Sequence, residues 1–224
     1  MKPYYEENGI TIYHGDCREI LPHLPKVDLV LTDPPYGIGK ADWDGDYLDW
    51  VESECLKAGR CVCIIPGIWA LGKCIYAMGD YYRWTVAGYK PAAMTNGSIG
   101  LNKWQPAVLG GTVPRTGADA FTFKQTGEGK QGHPCQKPLA FINWLVYKLT
   151  SDCGSILDPF MGSGTTLVAA KELGRKAIGI EISKAYCDIA VQRLAQGVLP
   201  LETPRVHNST LPLDIKCEIV ENEA

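Results

Sequence analysis

The chain of 224 residues reads as an α/β fold, an open and mainly parallel sheet covered by helices on both faces. Three observations predict it. Short β-rich runs alternate along the chain with segments of helix length. Two of those runs, 27–32 and 61–65, are apolar almost throughout, as strands buried on both faces are. A third, 155–157, leads into glycines and then a helical segment, the strand–turn–helix order at which such sheets bind ligands.

Taken in order, residues 10–14 alternate apolar and polar and stop at Gly15-Asp16, a short strand. The run 27–32 is halted by Pro34-Pro35, which neither a helix nor a central strand accommodates. A helix over 47–58, closed by Gly59, precedes a buried strand over 61–65 that ends at Pro66-Gly67. A helix over 69–78 and a strand over 82–87 follow. From 90 to 132 the texture turns to Gly, Thr, Pro and Lys, with apolar pieces at Ala107-Val108-Leu109 and Phe121-Thr122-Phe123, and reads as a loop-rich insertion. Regular structure resumes with helix 139–149, strand 155–157, helix 165–173, strand 177–180 and helix 184–194. Residues 1–199 thus form one domain containing the 90–132 insertion. In the tail, 200–224, alternating Leu213, Ile215, Cys217 and Ile219 suit an edge strand or a disordered end.

Composition bounds the function classes. At 46% hydrophobic and 21% charged the chain is globular rather than disordered. No apolar run is long enough to span a bilayer and the first residues lack the apolar core of a signal peptide, so a cytoplasmic protein without membrane contact is expected. The nine cysteines contain no C-x-x-C pair and do not cluster with the four histidines, which favours reduced, buried thiols over a metal site. Cys61 and Cys63 should share one strand face. The formal net charge of −3 is mild, and its distribution is uneven. Lys90, Lys103, Arg115, Lys124, Lys130 and Lys137 outnumber Asp119 and Glu128, while Asp42, Asp44, Asp46 and Asp49 cluster elsewhere. Global charge therefore does not exclude a nucleic-acid partner.

Two motifs carry chemistry. In Leu157-Asp158-Pro159-Phe160-Met161-Gly162-Ser163-Gly164-Thr165 a strand runs through glycines into a helix, where a nucleotide-like ligand can approach the backbone and meet helix-terminal N–H groups. The lysine of a phosphate-binding P-loop is missing, which argues against ATP hydrolysis. The next strand ends at Glu181, placed to accept hydrogen bonds from ribose hydroxyls. The second motif, Asp33-Pro34-Pro35-Tyr36-Gly37, follows the strand 27–32. An aromatic amine is a poor nucleophile because its lone pair is delocalised into the ring. A carboxylate (Asp33) and a rigid carbonyl (Pro34) aimed at its two hydrogens draw the nitrogen towards a tetrahedral state and stabilise its developing charge. Tyr36 offers a flat face for an extruded base, an interaction worth about 1–3 kcal/mol.

With these residues in this order, the chain resembles the amino-group DNA methyltransferases, in the permuted arrangement called class beta, where the D-P-P-Y motif precedes the cofactor loop. The resemblance covers roughly residues 10 to 195. It implies a Rossmann-like, circularly permuted S-adenosylmethionine-dependent methyltransferase fold. It also implies S-adenosyl-L-methionine as cofactor and methylation of the exocyclic amine of a flipped base in double-stranded DNA. Asp33, Pro34, Pro35 and Tyr36 match the catalytic motif. Asp158, Phe160, Gly162, Ser163, Gly164 and Thr165 match the cofactor loop, and Glu181 matches the ribose-binding acid. Asp16, in His14-Gly15-Asp16-Cys17, matches the residue that meets the cofactor's adenine amino group. Lys137, in His133-Pro134-Cys135-Gln136-Lys137-Pro138, belongs to the motif near the methionine carboxylate.

Asp at the first motif position resembles the adenine-N6 subgroup, whereas Ser is commoner in cytosine-N4 enzymes. A cytosine-N4 enzyme, an RNA or protein amino-group methyltransferase, and a non-catalytic DNA-binding relative are the alternatives. By the same resemblance 90–132 is a short target-recognition segment, with Lys103, Trp104, Arg115, Lys124 and Lys130 as candidate DNA contacts. A homodimer and a cognate restriction enzyme are the protein partners the resemblance suggests.

Overall fold

The structure, a computed structural model, describes residues 2–35, 49–93, 96–97, 100–114, 117–123 and 137–196. Tyr36, Asp42, Asp44, Asp46, Arg115, Lys124, Lys130, the 133–136 part of the lysine motif and the tail lie outside the described residues. The strands are β1 (Tyr5–Glu7), β2 (Ile10–His14), β3 (Val27–Thr32), β4 (Gly59–Ile64), β5 (Tyr82–Tyr89), β6 (Asn96–Gly97), β7 (Gly100–Leu101), β8 (Trp104–Gly111), β9 (Ala120–Thr122), β10 (Ser155–Asp158) and β11 (Lys176–Glu181). The α-helices are α1 (Cys17–Ile20), α2 (Val51–Ala58), α3 (Leu71–Met78), α4 (Leu139–Leu149), α5 (Thr165–Glu172) and α6 (Lys184–Ala195).

Nine strands form one sheet in the order β1-β2-β11-β10-β3-β4-β8-β5-β9, and β6 and β7 form a separate small ladder. From β2 to β4 all pairings are parallel; β1 and β8 run against the rest. Side chains that alternate along each central strand feed two cores. Leu29, Leu31, Cys61, Cys63 and Ile156 join one face with Phe141 of α4, Leu167 of α5 and Ala190 of α6. Val30, Val62, Ile64 and Leu157 join the other with Ile20 of α1, Cys55 of α2 and Met78 of α3. Cys61 and Cys63 therefore share a strand face, as their spacing predicts. Their environment is apolar enough to push the Cys61 thiol up to about 12.

The chain leaves β3 for α2 on one face and leaves β10 for α5 on the other. Adjacent parallel strands whose connections diverge in this way open a crevice at their carboxyl ends, a switch point where ligands bind. The fold class thus matches the expectation. No helix among the described residues is long and apolar enough to cross a membrane.

The segment 90–132 is not loop throughout. It supplies β8, inserted antiparallel between β4 and β5, and β9 at the sheet edge. Pro106, Ala107, Val108, Leu109 and Gly110 of β8 are all buried. The local texture conceals this because the glycines have packing roles. A Cβ on Gly110 would come within 2.9 Å of the Met78 sulfur. Pro106 comes before Val108, the first β8 residue paired with β4 (opposite Ile64), so that ladder loses no donor. β1 and α1, of three and four residues, are too short to show periodicity.

Candidate functional site

Four strand ends converge on one cleft of about 380 Å³, within the range of small-ligand sites. β2 delivers Asp16, β3 delivers Asp33, β10 delivers Asp158 and the glycine turn, and β11 delivers Glu181. The switch point places them together although they are scattered along the sequence.

Asp158 is buried at the end of β10, and its Oδ1 accepts from Thr32 Oγ1 at 2.8 Å and from Phe160 N at 3.1 Å. Thr166 also bonds the carboxylate. Burial pushes its pKa up to about 6; the three hydrogen bonds oppose that rise and the nearby Asp33 charge adds to it. Asp158 therefore fastens the ends of β3 and β10 to the first turn of α5 as well as lining the cleft.

The glycine turn is shaped by necessity. Gly162 and Gly164 have φ of 53° and 79°, and a Cβ on Gly164 would stand 2.8 Å from that of Ala190 on α6. Behind the turn, Arg193 Nη1 donates to Ser163 O at 2.6 Å and lies 3.2 Å from the hydroxyls of Ser163 and Thr165. Burial lowers the pKa of this guanidinium. Glu181 closes the turn from the other side. Its Oε2 accepts from Gly162 N at 3.0 Å and its Oε1 from Ser183 N at 2.8 Å. Desolvation raises the Glu181 pKa and these amides oppose the rise. The carboxylate is thus held rigidly with lone pairs left to face the cleft.

At the far wall Asp16 caps α1, accepting from Arg18 N at 2.9 Å, and the Arg18 side chain forms an ion pair with it. That pair lowers the Asp16 pKa. The Arg18 guanidinium lies 5.9 Å from the Trp50 ring centre, and Trp50 lies 5.9 Å from Phe160 at an interplanar angle of 38°. Trp50 and Phe160 make an aromatic wall suited to a planar heterocycle. At the opposite end, Lys137 Nζ donates to Asp33 Oδ2, with Pro35 beside them.

The cleft gathers Asp16, Asp33, Pro35, Lys137, Asp158, Phe160, Gly162, Ser163, Thr165 and Glu181 from the predicted set. Pro34 and Gly164 flank it within the same two turns. Lys103 and Trp104 are not part of it; Lys103 Nζ donates to Pro91 O at 2.8 Å, and Trp104 is exposed at the start of β8. Sequence reasoning missed Trp50 and Arg18 in the wall, Thr32 and Thr166 on Asp158, and Arg193 behind the glycines. Only Arg18 carried a usable signal, an arginine two residues after a helix-capping aspartate.

A doubly wound sheet whose switch-point cleft joins a glycine turn, a rigidly held acid (Glu181) and an Asp-Pro-Pro edge has the form of a site for a nucleotide-like cofactor. Residues 74–192 match the N6_N4_Mtase DNA methylase family model. The chain belongs to this N6-adenine/N4-cytosine amino-group DNA methyltransferase family. It is similar to the Type II methyltransferase M.ScaI of Streptomyces caespitosus, 30% identical over 255 residues, covering 86% of this chain and 84% of that protein. It is also similar to the M1.HpyAVI–SAM complex, at 26% identity and TM-score 0.71, covering 83% of this chain and 99% of the other. The cytosine-N4-specific PvuII DNA methyltransferase shares the fold at TM-score 0.71 and 17% identity, covering 88% and 90% of the two chains.

The family cofactor is S-adenosyl-L-methionine. The cleft's chemistry fits it: an aromatic wall beside Asp16 for the adenine, Glu181 for the ribose, and a lysine at the Asp33 end for a carboxylate.

Proposed function

We propose that the chain methylates adenine N6 in double-stranded DNA, with the target nucleotide turned out of the helix into the cleft. The observation that carries this reading is the position of Asp33. It stands at the end of β3, in the same cleft as the glycine turn and Glu181. Bound S-adenosyl-L-methionine supplies an electrophilic methyl group. Asp16, Asp158, Phe160, Gly162, Ser163, Gly164, Thr165, Glu181 and Lys137 hold that cofactor directly or through the turn. Asp33 and the Pro34 carbonyl accept hydrogen bonds from the two N–H groups of the target amine and raise the nucleophilicity of its nitrogen, which loses one proton to solvent once it carries the methyl group. Pro35 stiffens the edge, and Tyr36 stacks on the base. The PvuII fold likeness leaves adenine and cytosine equal; Asp33 at the first motif position supports adenine.

Lys103, Trp104, Arg115, Lys124 and Lys130 are proposed as DNA contacts. The match to M.ScaI extends over 255 residues, more than this chain of 224 contains, so that relative carries extra residues inside the matched span. A homodimer and a cognate restriction enzyme rest on the family resemblance alone.

The test incubates the protein with labelled S-adenosyl-L-methionine and unmethylated DNA, then identifies the labelled nucleoside, with Asp33→Asn as control. N6-methyladenine made only when Asp33 is intact is the expected outcome. N4-methylcytosine overturns the choice of base. Label appearing in RNA or protein but not in DNA overturns the substrate.

A further inference from the structure

Lys137 and Asp33 are joined across 104 positions of sequence, and both are partly buried, with side chains 16% and 26% exposed. The contact is hard to understand as scaffolding. Lys137 stands two residues before α4, next to its N-cap Pro138, and α4 is anchored by buried Phe141, Ile142 and Leu145. The lysine's base is therefore fixed while its flexible four-carbon stem can redirect the ammonium. Its partner is the one carboxylate that the reaction needs for the target amine. An ammonium on that carboxylate competes with the amine for the same lone pairs.

The charges lining the cleft point to a resolution. Among the described residues its acids are Asp16, Asp33, Asp158 and Glu181, and its bases are Arg18 and Lys137. Arg18 is committed to Asp16 beside Trp50, at the other end. An anionic group arriving at the Asp33 end can find its counter-charge in Lys137.

We infer that Lys137 exchanges partners: it neutralises Asp33 until the cofactor's α-carboxylate arrives, then moves to that carboxylate and opens Asp33 to the target amine. This rests on reading the cleft as the cofactor and base site. Cofactor binding then precedes productive base binding because the same cation serves two acids in turn. An empty enzyme holds one oxygen of its own acceptor, Asp33 Oδ2, occupied.

The exchange makes an unusual demand: removing the Asp33 charge should strengthen binding of a ligand that carries the carboxylate. The experiment measures binding by isothermal titration calorimetry, without DNA, to wild type, Asp33→Asn, Lys137→Met and the double variant. One probe is S-adenosylhomocysteine, which keeps the carboxylate but has no charged sulfur for Asp33 to attract. The other is 5′-methylthioadenosine, which lacks the carboxylate. For S-adenosylhomocysteine, Asp33→Asn should tighten binding about fivefold and Lys137→Met weaken it about tenfold or more. In the Lys137→Met background the tightening should vanish. All four proteins should bind 5′-methylthioadenosine within about twofold of one another, since no exchange is involved. Because Asp33→Asn retains Lys137, its comparison with wild type decides the matter even if Lys137→Met folds poorly. Unchanged or weaker S-adenosylhomocysteine binding by Asp33→Asn overturns the exchange, and so does equal tightening with and without Lys137. Failure of wild type to bind either probe instead overturns the cofactor reading beneath it.

Discussion

Replacing Asp158 with Asn should change how stability depends on pH while keeping the fold. The side chain is 4% exposed and its pKa is raised from 3.8 to about 6, chiefly by burial. A carboxyl that holds its proton more tightly when folded contributes stability that is fully present below its unfolded pKa. That contribution is lost as pH rises through the folded value. A shift of about two units corresponds to about 3 kcal/mol over the whole window, of which about 1 kcal/mol falls between pH 5 and pH 7. Asn cannot ionise and retains an oxygen for Thr32 Oγ1 and Phe160 N, the two donors to Oδ1. Equilibrium urea unfolding at half-unit steps from pH 5 to 7.5 reads the difference directly. Wild type should lose about 1 kcal/mol more than Asp158→Asn across that range, with other titrations cancelling between the two proteins. Parallel curves would show that Asp158 is already ionised in the folded state at pH 5 and refute the burial argument.

Gly164→Ala should cost about 1–3 kcal/mol in thermal melts, from its positive φ and the 2.8 Å approach to Ala190, and should weaken S-adenosylhomocysteine binding as the turn shifts. Glu181→Ala removes the acceptor of both Gly162 N and Ser183 N; cofactor affinity measured by calorimetry should fall about tenfold or more, and an unchanged value would detach Glu181 from the site. Lys103→Gln should weaken DNA binding and reduce its log–log salt slope by about 1, with S-adenosylhomocysteine affinity unaltered; an identical slope removes Lys103 from the interface.

What was legible in the sequence follows from which signals are local. The β3 run is mostly apolar and is followed, after Asp33, by two prolines, so strand, end and chemistry are read together. The β10 strand is short, but Gly162 and Gly164 mark its turn and Glu181 marks the end of the next strand. β8 is different. Pro106, Gly110 and Gly111 give it the texture of a loop, and its strand character comes from neighbours on both sides rather than from its own propensity. The site divides in the same way. Asp33, Asp158 and Glu181 announce themselves through motifs, whereas Trp50, Arg193 and the Lys137–Asp33 contact arise only once separate segments pack together.

The reversed direction of β8 has a consequence for how this scaffold accommodates change. Because β8 opposes its neighbours, the chain leaves β5 and re-enters β8 on the rim where β3 and β10 present Asp33 and Asp158, and it leaves β9 on that rim as well. The opposite rim carries tight reversals such as Ala58 to Gly59 and Leu173 to Lys176. Growth in chain length is therefore channelled to one side. A longer connection spliced between β5 and β8, or between β9 and α4, starts from the rim that carries the cleft and need not enter the nine-stranded sheet, so the chain can grow there while the sheet stays as it is.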